Sequence, residues 1–196
     1  IGNTGRDCSL GVTGLKPIVD MGPGEFYGQF PGFSGGLYGD GSNIRPASHT
    51  ATGIAIANSI QPLDANGNPD SINGKIGFVS SGFSNVNYIF DRFMLNVQGD
   101  STLNSKLVLA NAAVPGSTVD VWILNDFTGP GWKFINNTVL PQAGLTLEQV
   151  QVVWFQHAHA GPFFSYPAPN NTWPGHATLL EDELGMVARN LKQFYP

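Results

Sequence analysis

Cysteine is almost absent: Cys8 is the only one in 196 residues, so no disulfide can close within the chain and a cysteine-rich zinc site is excluded. Charge is scarce as well. Charged residues make up 12% of the chain and the net charge is −5 at pH 7, with no block of like charges. That balance argues against nucleic acid as a partner and against adsorption to an anionic membrane. Long apolar runs are missing too, none approaching the ~20 residues of a spanning helix. A small neutral or carbohydrate-like partner fits this composition better. Hydrophobic residues at 41% provide for one well-buried domain. The 25 glycines and 14 prolines suit a loop-rich exported protein, secreted or held at the cell envelope. The start at Ile1 suits a processed mature form.

Residues 1–45 are glycine-dense and carry Phe26, Tyr27, Phe30, Phe33 and Tyr38 without a sustained period. They read as an arm or loop packed on a domain spanning 46–196, with a sugar-binding use of the aromatics as the sharper alternative. Pro46 to Ile60 read as a helix whose small-residue face implies close packing. Three apolar runs then read as strands: Ile76–Val79, Lys106–Ala110 and Gln151–Gln156. Helical signals follow the first two. Val86, Ile89, Phe90, Phe93, Met94 and Val97 share one face of a helix from Asn85 onward, and Ser117 is placed to cap a short helix through Val121 and Leu124. Thr146-Leu-Glu-Gln149 fits a capping box before the third strand. Leu180, Leu184, Val187, Leu191 and Phe194 make the stripe of a last helix. Strands followed by helices predict a parallel sheet covered on both faces. Only three strands are evident, so the stripe of the last helix points to further chain beyond Pro196.

The chemistry concentrates where strands give way to turns. Ser84 falls at the junction between the first strand and its helix, where free helix N–H groups point at whatever binds. The plainer reading of Ser84 is a helix cap. Gly116 occupies the matching turn after the second strand, and its N–H faces the same crevice. After the third strand, His157 and His159 alternate on one side of an extended chain, where they can meet a substrate or, with His176, a metal; two histidines are too few to specify zinc. His49, in the first turn of the 46–60 helix, is either a substrate-facing group or an ordinary surface histidine.

The segments Gly35-Gly-Leu-Tyr-Gly-Asp-Gly-Ser-Asn-Ile-Arg-Pro-Ala-Ser-His49, Gln61-Pro-Leu-Asp-Ala-Asn-Gly67, Gly82-Phe-Ser-Asn85 and Val150-Gln-Val-Val-Trp154 resemble a group of exported bacterial proteins with an SGNH-hydrolase-like core, over about residues 15–196. The resemblance implies a three-layer α/β/α sandwich with a parallel, flavodoxin-like sheet, esterase, lipase or carbohydrate-deacetylase activity, and no cofactor. It implies Ser84 as nucleophile, Gly116 as an oxyanion donor, and Asn85 or His159 as further oxyanion contacts. His157 and His49 are candidates for substrate binding. The chain departs from the pattern in two places. Phe83 stands where the superfamily's Gly-Asp-Ser block has its acid, and no Asp-x-x-His block is present to supply the base.

A serine hydroxyl needs a positioned base to act as a nucleophile at neutral pH. The base is therefore expected either beyond Pro196 or from His157, His159, His176 or His49. An ester hydrolase acting on an acyl ester, with carbohydrate as the carrier, is the leading expectation. The alternative is a non-catalytic envelope, filament or binding subunit that keeps the fold and self-associates through its arm.

Overall fold

The structure is a computed structural model that describes residues 16–22, 24–26, 34–39, 41–124, 127–161 and 166–195. Cys8 and the arm aromatics Tyr27, Phe30 and Phe33 lie outside the described residues. The chain divides into two compact units, Ile1–Ser59 and Ile60–Pro196.

In the first unit a single helical turn, Ile18–Asp20, is tied down by the Gly36 N–H, which donates to the Ile18 carbonyl at 2.7 Å. Lys16 pairs with Glu25 at 2.6 Å across half-exposed side chains. Helix α1, Ala47–Ser59, follows. The expected close packing of its small-residue face is not what the structure has, because none of its residues is buried. The cause is in the spacing. Ile54 and Ile56 lie two positions apart, which sets them on different sides of a helix, and both are more than half exposed.

The second unit opens with two aspartate-nucleated turns. Asp64 Oδ1 accepts from the N–H groups of Asn66 and Asn68 at 2.8 and 2.9 Å, and Asp70 Oδ1 from those of Ile72 and Asn73 at 2.9 Å each. These bonds favour the ionised carboxylates and hold both below the usual range. The chain then enters strand β1, Ile76–Gly82. Helix α2, Ser84–Val97, strand β2, Leu107–Asn111, and strand β3, Val150–Gln156, follow in that order. The sheet is parallel throughout, in the order β2-β1-β3, with Phe78 opposite Leu109 on one side and Val152 on the other. The first strand made is therefore the central one. β1 runs three residues past its apolar part because Ser80 and Ser81, both fully buried, each find a hydrogen-bond partner inside.

Alternation along β1 sends neighbouring residues to opposite layers. Phe78 meets Phe90 of α2 edge to face, ring centroids 5.3 Å apart, and Phe90 stacks with Trp154 at 6.1 Å. Val79 faces the other way, into a core of Trp122, Trp132, Ile135, Leu140, Val150, Val187 and Leu191. Full burial of a side chain such as Val79 stabilises the fold by about 1.5–3 kcal/mol. Of the stripe expected on α2, Val86 and Phe90 are buried, whereas Ile89 is exposed.

The second layer contains a helix absent from the sequence-based expectation. α3 begins as Pro130–Phe134, passes through a π segment, Ile135–Val139, and ends as Leu140–Ala143. Proline in its first turn and Gly144 in the left-handed conformation at its end (φ 65°) mark its limits. The capping box at Thr146 is present, with the Thr146 N–H donating to Gln149 Oε1 at 3.1 Å. Ser117, by contrast, caps nothing. Thr118 is the residue before the short turn Val119–Val121, and the Ser117 hydroxyl accepts instead from Trp122 Nε1 at 2.7 Å.

Helix α4, Gly175–Phe194, closes the layer and buries Val187, Leu191 and Phe194 together with two polar residues, Glu183 and Asn190. With α2 on one face and α3 and α4 on the other, the second unit is a mixed α/β fold around a three-stranded parallel sheet. No helix among the described residues is long and apolar enough to cross a membrane.

Candidate functional site

A parallel sheet presents the carboxyl ends of all its strands along one edge, and binding crevices form there where the strand order reverses. Here β2 lies to one side of β1 and β3 to the other. At that edge a cavity of about 270 Å³ is lined by Phe83 and Ser84 after β1, Gly116, Ser117 and Thr118 after β2, and Ala158, His159 and Ala160 after β3. Three of the expected residues, Ser84, Gly116 and His159, thus come together from three separate strand ends. The walls are joined by backbone bonds, Val114 N–H to the Gly82 carbonyl at 2.8 Å and Val119 N–H to the Ala158 carbonyl at 3.2 Å.

Gly82 sets the turn that delivers Ser84. Its φ is +152°, and a Cβ there would lie 2.3 Å from the Gln156 carbonyl oxygen and 2.5 Å from Val86 Cγ2. Only glycine lets β1, β3 and α2 approach so closely. The cap position of α2 is Phe83, which has no side-chain oxygen, so Ser84 is the first helical residue and not the cap. Its hydroxyl is left available at the cavity wall, and its N–H is among those a helix N-terminus leaves unbonded. Gly116, with φ +81° and nothing within 4 Å of where a Cβ would be, likewise leaves its N–H without an acceptor among the described residues. Two N–H donors and a hydroxyl on one concave surface suit an oxygen that gains negative charge.

His159 stands in the cavity wall with its side chain only 3% exposed. Its Nε2 bonds Glu183 Oε2 of α4, itself 9% exposed, while Nδ1 is buried without a partner among the described residues. Tyr166 covers the imidazole, ring centroids 4.5 Å apart, and burial with the charges of Glu183 and Asp120 raises the phenol above its ordinary value.

His157 is placed differently. It is buried, its Nε2 lies 3.1 Å from Ser81 Oγ, and its ring packs against Trp122 and Phe155. Burial pushes its pKa down to about 4, so the ring is neutral at pH 7. Ser81 and His157 form a serine–histidine contact that no substrate can reach, since Ser81 is fully buried. Asn85 is exposed on α2 outside the cavity lining, and His49 is exposed in the first turn of α1, within the other unit. His176 lies in the first turn of α4 beside Trp173. Among the described residues no group of three histidine, cysteine or acidic side chains is placed to hold a metal ion.

Sequence reasoning missed Glu183, although a signal was present. Leu180, Glu183, Val187, Asn190 and Phe194 follow one another at alternating spacings of three and four, so both polar residues fall on the buried stripe. Asn190 is answered by the carbonyls of Trp122 and Leu124, each 3.1 Å from Nδ2, and Glu183 by His159. No family model matches this chain, and neither a curated protein nor a solved structure matches it.

Proposed function

We propose that this protein is an exported ester hydrolase of the SGNH type, in which Ser84 attacks the acyl carbon of an ester whose alcohol is a carbohydrate. The observation that carries this reading is the single cavity that gathers Ser84, Gly116 and His159 at the carboxyl edge of the sheet. The Ser84 and Gly116 N–H groups take up the charge that develops on the acyl oxygen, a contribution on the order of 3 kcal/mol per donor in comparable sites. The partly exposed Ser84 is a better nucleophile candidate than Ser81, which has a histidine partner but no access.

The test is covalent labelling with a fluorophosphonate probe. The expected result is one adduct on Ser84, abolished in Ser84→Ala with no change in thermal unfolding. Absence of labelling on the intact protein would end the enzyme reading. A non-catalytic assembly subunit would then take its place, a reading favoured by the exposed Ile54 and Ile56 of α1.

A further inference from the structure

The sequence offers no Asp-x-x-His block, and Ser84 without a base would turn over poorly. We propose that His159 is the general base of the Ser84 site and that Glu183, from the last helix, is the carboxylate that positions it. The inference rests on the reading of Ser84 as nucleophile, and it moves His159 from the oxyanion contacts to the proton-transfer chain.

Three observations support the assignment. First, a carboxylate accepts hydrogen bonds and cannot donate them, so the contact with Glu183 Oε2 requires the His159 proton on Nε2. Nδ1 is then the lone-pair nitrogen. Second, that nitrogen is buried and has no hydrogen-bond partner among the described residues. A buried acceptor left unsatisfied costs about 1–3 kcal/mol, a cost tolerated where the group has a use. Third, the pair is built into the fold at both ends. His159 follows β3 in the cavity that Ser84 lines, and Glu183 occupies a stripe position of α4 that would otherwise take an apolar residue. A nearly dry carboxylate–imidazole pair fixes both the tautomer and the direction of the ring.

The proton path balances. As Ser84 Oγ bonds to the acyl carbon, its proton passes to His159 Nδ1, and the resulting imidazolium is stabilised by the Glu183 carboxylate. Collapse of the tetrahedral intermediate breaks the bond to the alcohol oxygen, which takes that proton and leaves. Water then attacks the acyl-enzyme and gives a proton to Nδ1, which returns it to Ser84 Oγ as the acid departs. His159 is the catalytic residue in this scheme, and Glu183 acts through it.

Fluorophosphonate labelling rates separate the two levels of argument. His159→Ala is expected to slow labelling of Ser84 by about 10³-fold, with added imidazole restoring part of the rate; Glu183→Gln slows it by about 10²-fold, and Glu183→Asp recovers most of the loss. If the intact protein labels on Ser84 but His159→Ala and Glu183→Gln label at its rate, this assignment is overturned while Ser84 stands. No labelling of the intact protein at all overturns both. Should the buried substitutions prevent folding, ¹⁵N chemical shifts of His159 in the unaltered protein decide. At a pH where the ring is neutral, a proton on Nε2 supports the assignment, and a proton on Nδ1 overturns it.

Discussion

Burial of His157 ties the stability of the second unit to pH. The ring is held by Ser81 Oγ at 3.1 Å and by the Trp122 and Phe155 rings, and none of these contacts is charged. Desolvation alone therefore lowers its pKa, from 6.5 to about 4. Because the folded pKa lies below the unfolded one, protonation favours the unfolded chain. The stabilisation is fully present above pH 6.5 and is lost as pH falls toward 4. Across the whole window the loss is about 3 kcal/mol, and about 2 kcal/mol of it falls between pH 7 and pH 5. Asp64, Asp70 and Asp100, whose carboxyls are held below their ordinary values, are still ionised in that interval. Urea unfolding followed by tryptophan fluorescence suits the measurement, since Trp122 lies 5.1 Å from the imidazole. His157→Gln is expected to lower stability at pH 7 but to flatten the decline between pH 7 and pH 5. An equal decline in both proteins would refute burial of a neutral imidazole as its cause.

Gly82→Ala is expected to cost about 3 kcal/mol or more, because its Cβ would meet the Gln156 carbonyl and Val86; Gly116→Ala, with open space around it, costs about 1–2 kcal/mol. Equal shifts in thermal unfolding would contradict the close approach at Gly82. Asn111 Oδ1 accepts from the Ser80 hydroxyl at 2.7 Å, and its Nδ2 donates to Asp91 Oδ1 at 2.7 Å. Asn111→Asp keeps the first contact and sets two carboxylates together at the second, lowering stability by about 1–3 kcal/mol. Adding Asp91→Asn should return part of that loss, and strict additivity of the two changes would show that they do not interact.

The parallel sheet and its covering helices were legible because Ile76–Val79 and Val152–Phe155 are short apolar runs and the α2 stripe has a clear period. α3 was missed since Asn125 to Gly131 reads as a break, yet Trp132, Ile135, Val139 and Leu140 already show helical spacing. The placement of Ser84, Gly116 and His159 followed from one rule, that turns after parallel strands share an edge. What single positions could not reveal was pairing at a distance. Ser81 is separated from His157 by 76 positions and His159 from Glu183 by 24, so neither contact leaves a local mark.

The order β2-β1-β3 also has a consequence in time. β1 is synthesised first, and its neighbour β3 starts only at Val150. At ~5–20 residues per second the ribosome needs about 3–14 s to pass from Gly82 to Val150. For those seconds one edge of the central strand, with Val79 and Phe78 on its two faces, has no native neighbour. The nascent chain then carries an open strand edge that is competent to pair with another chain.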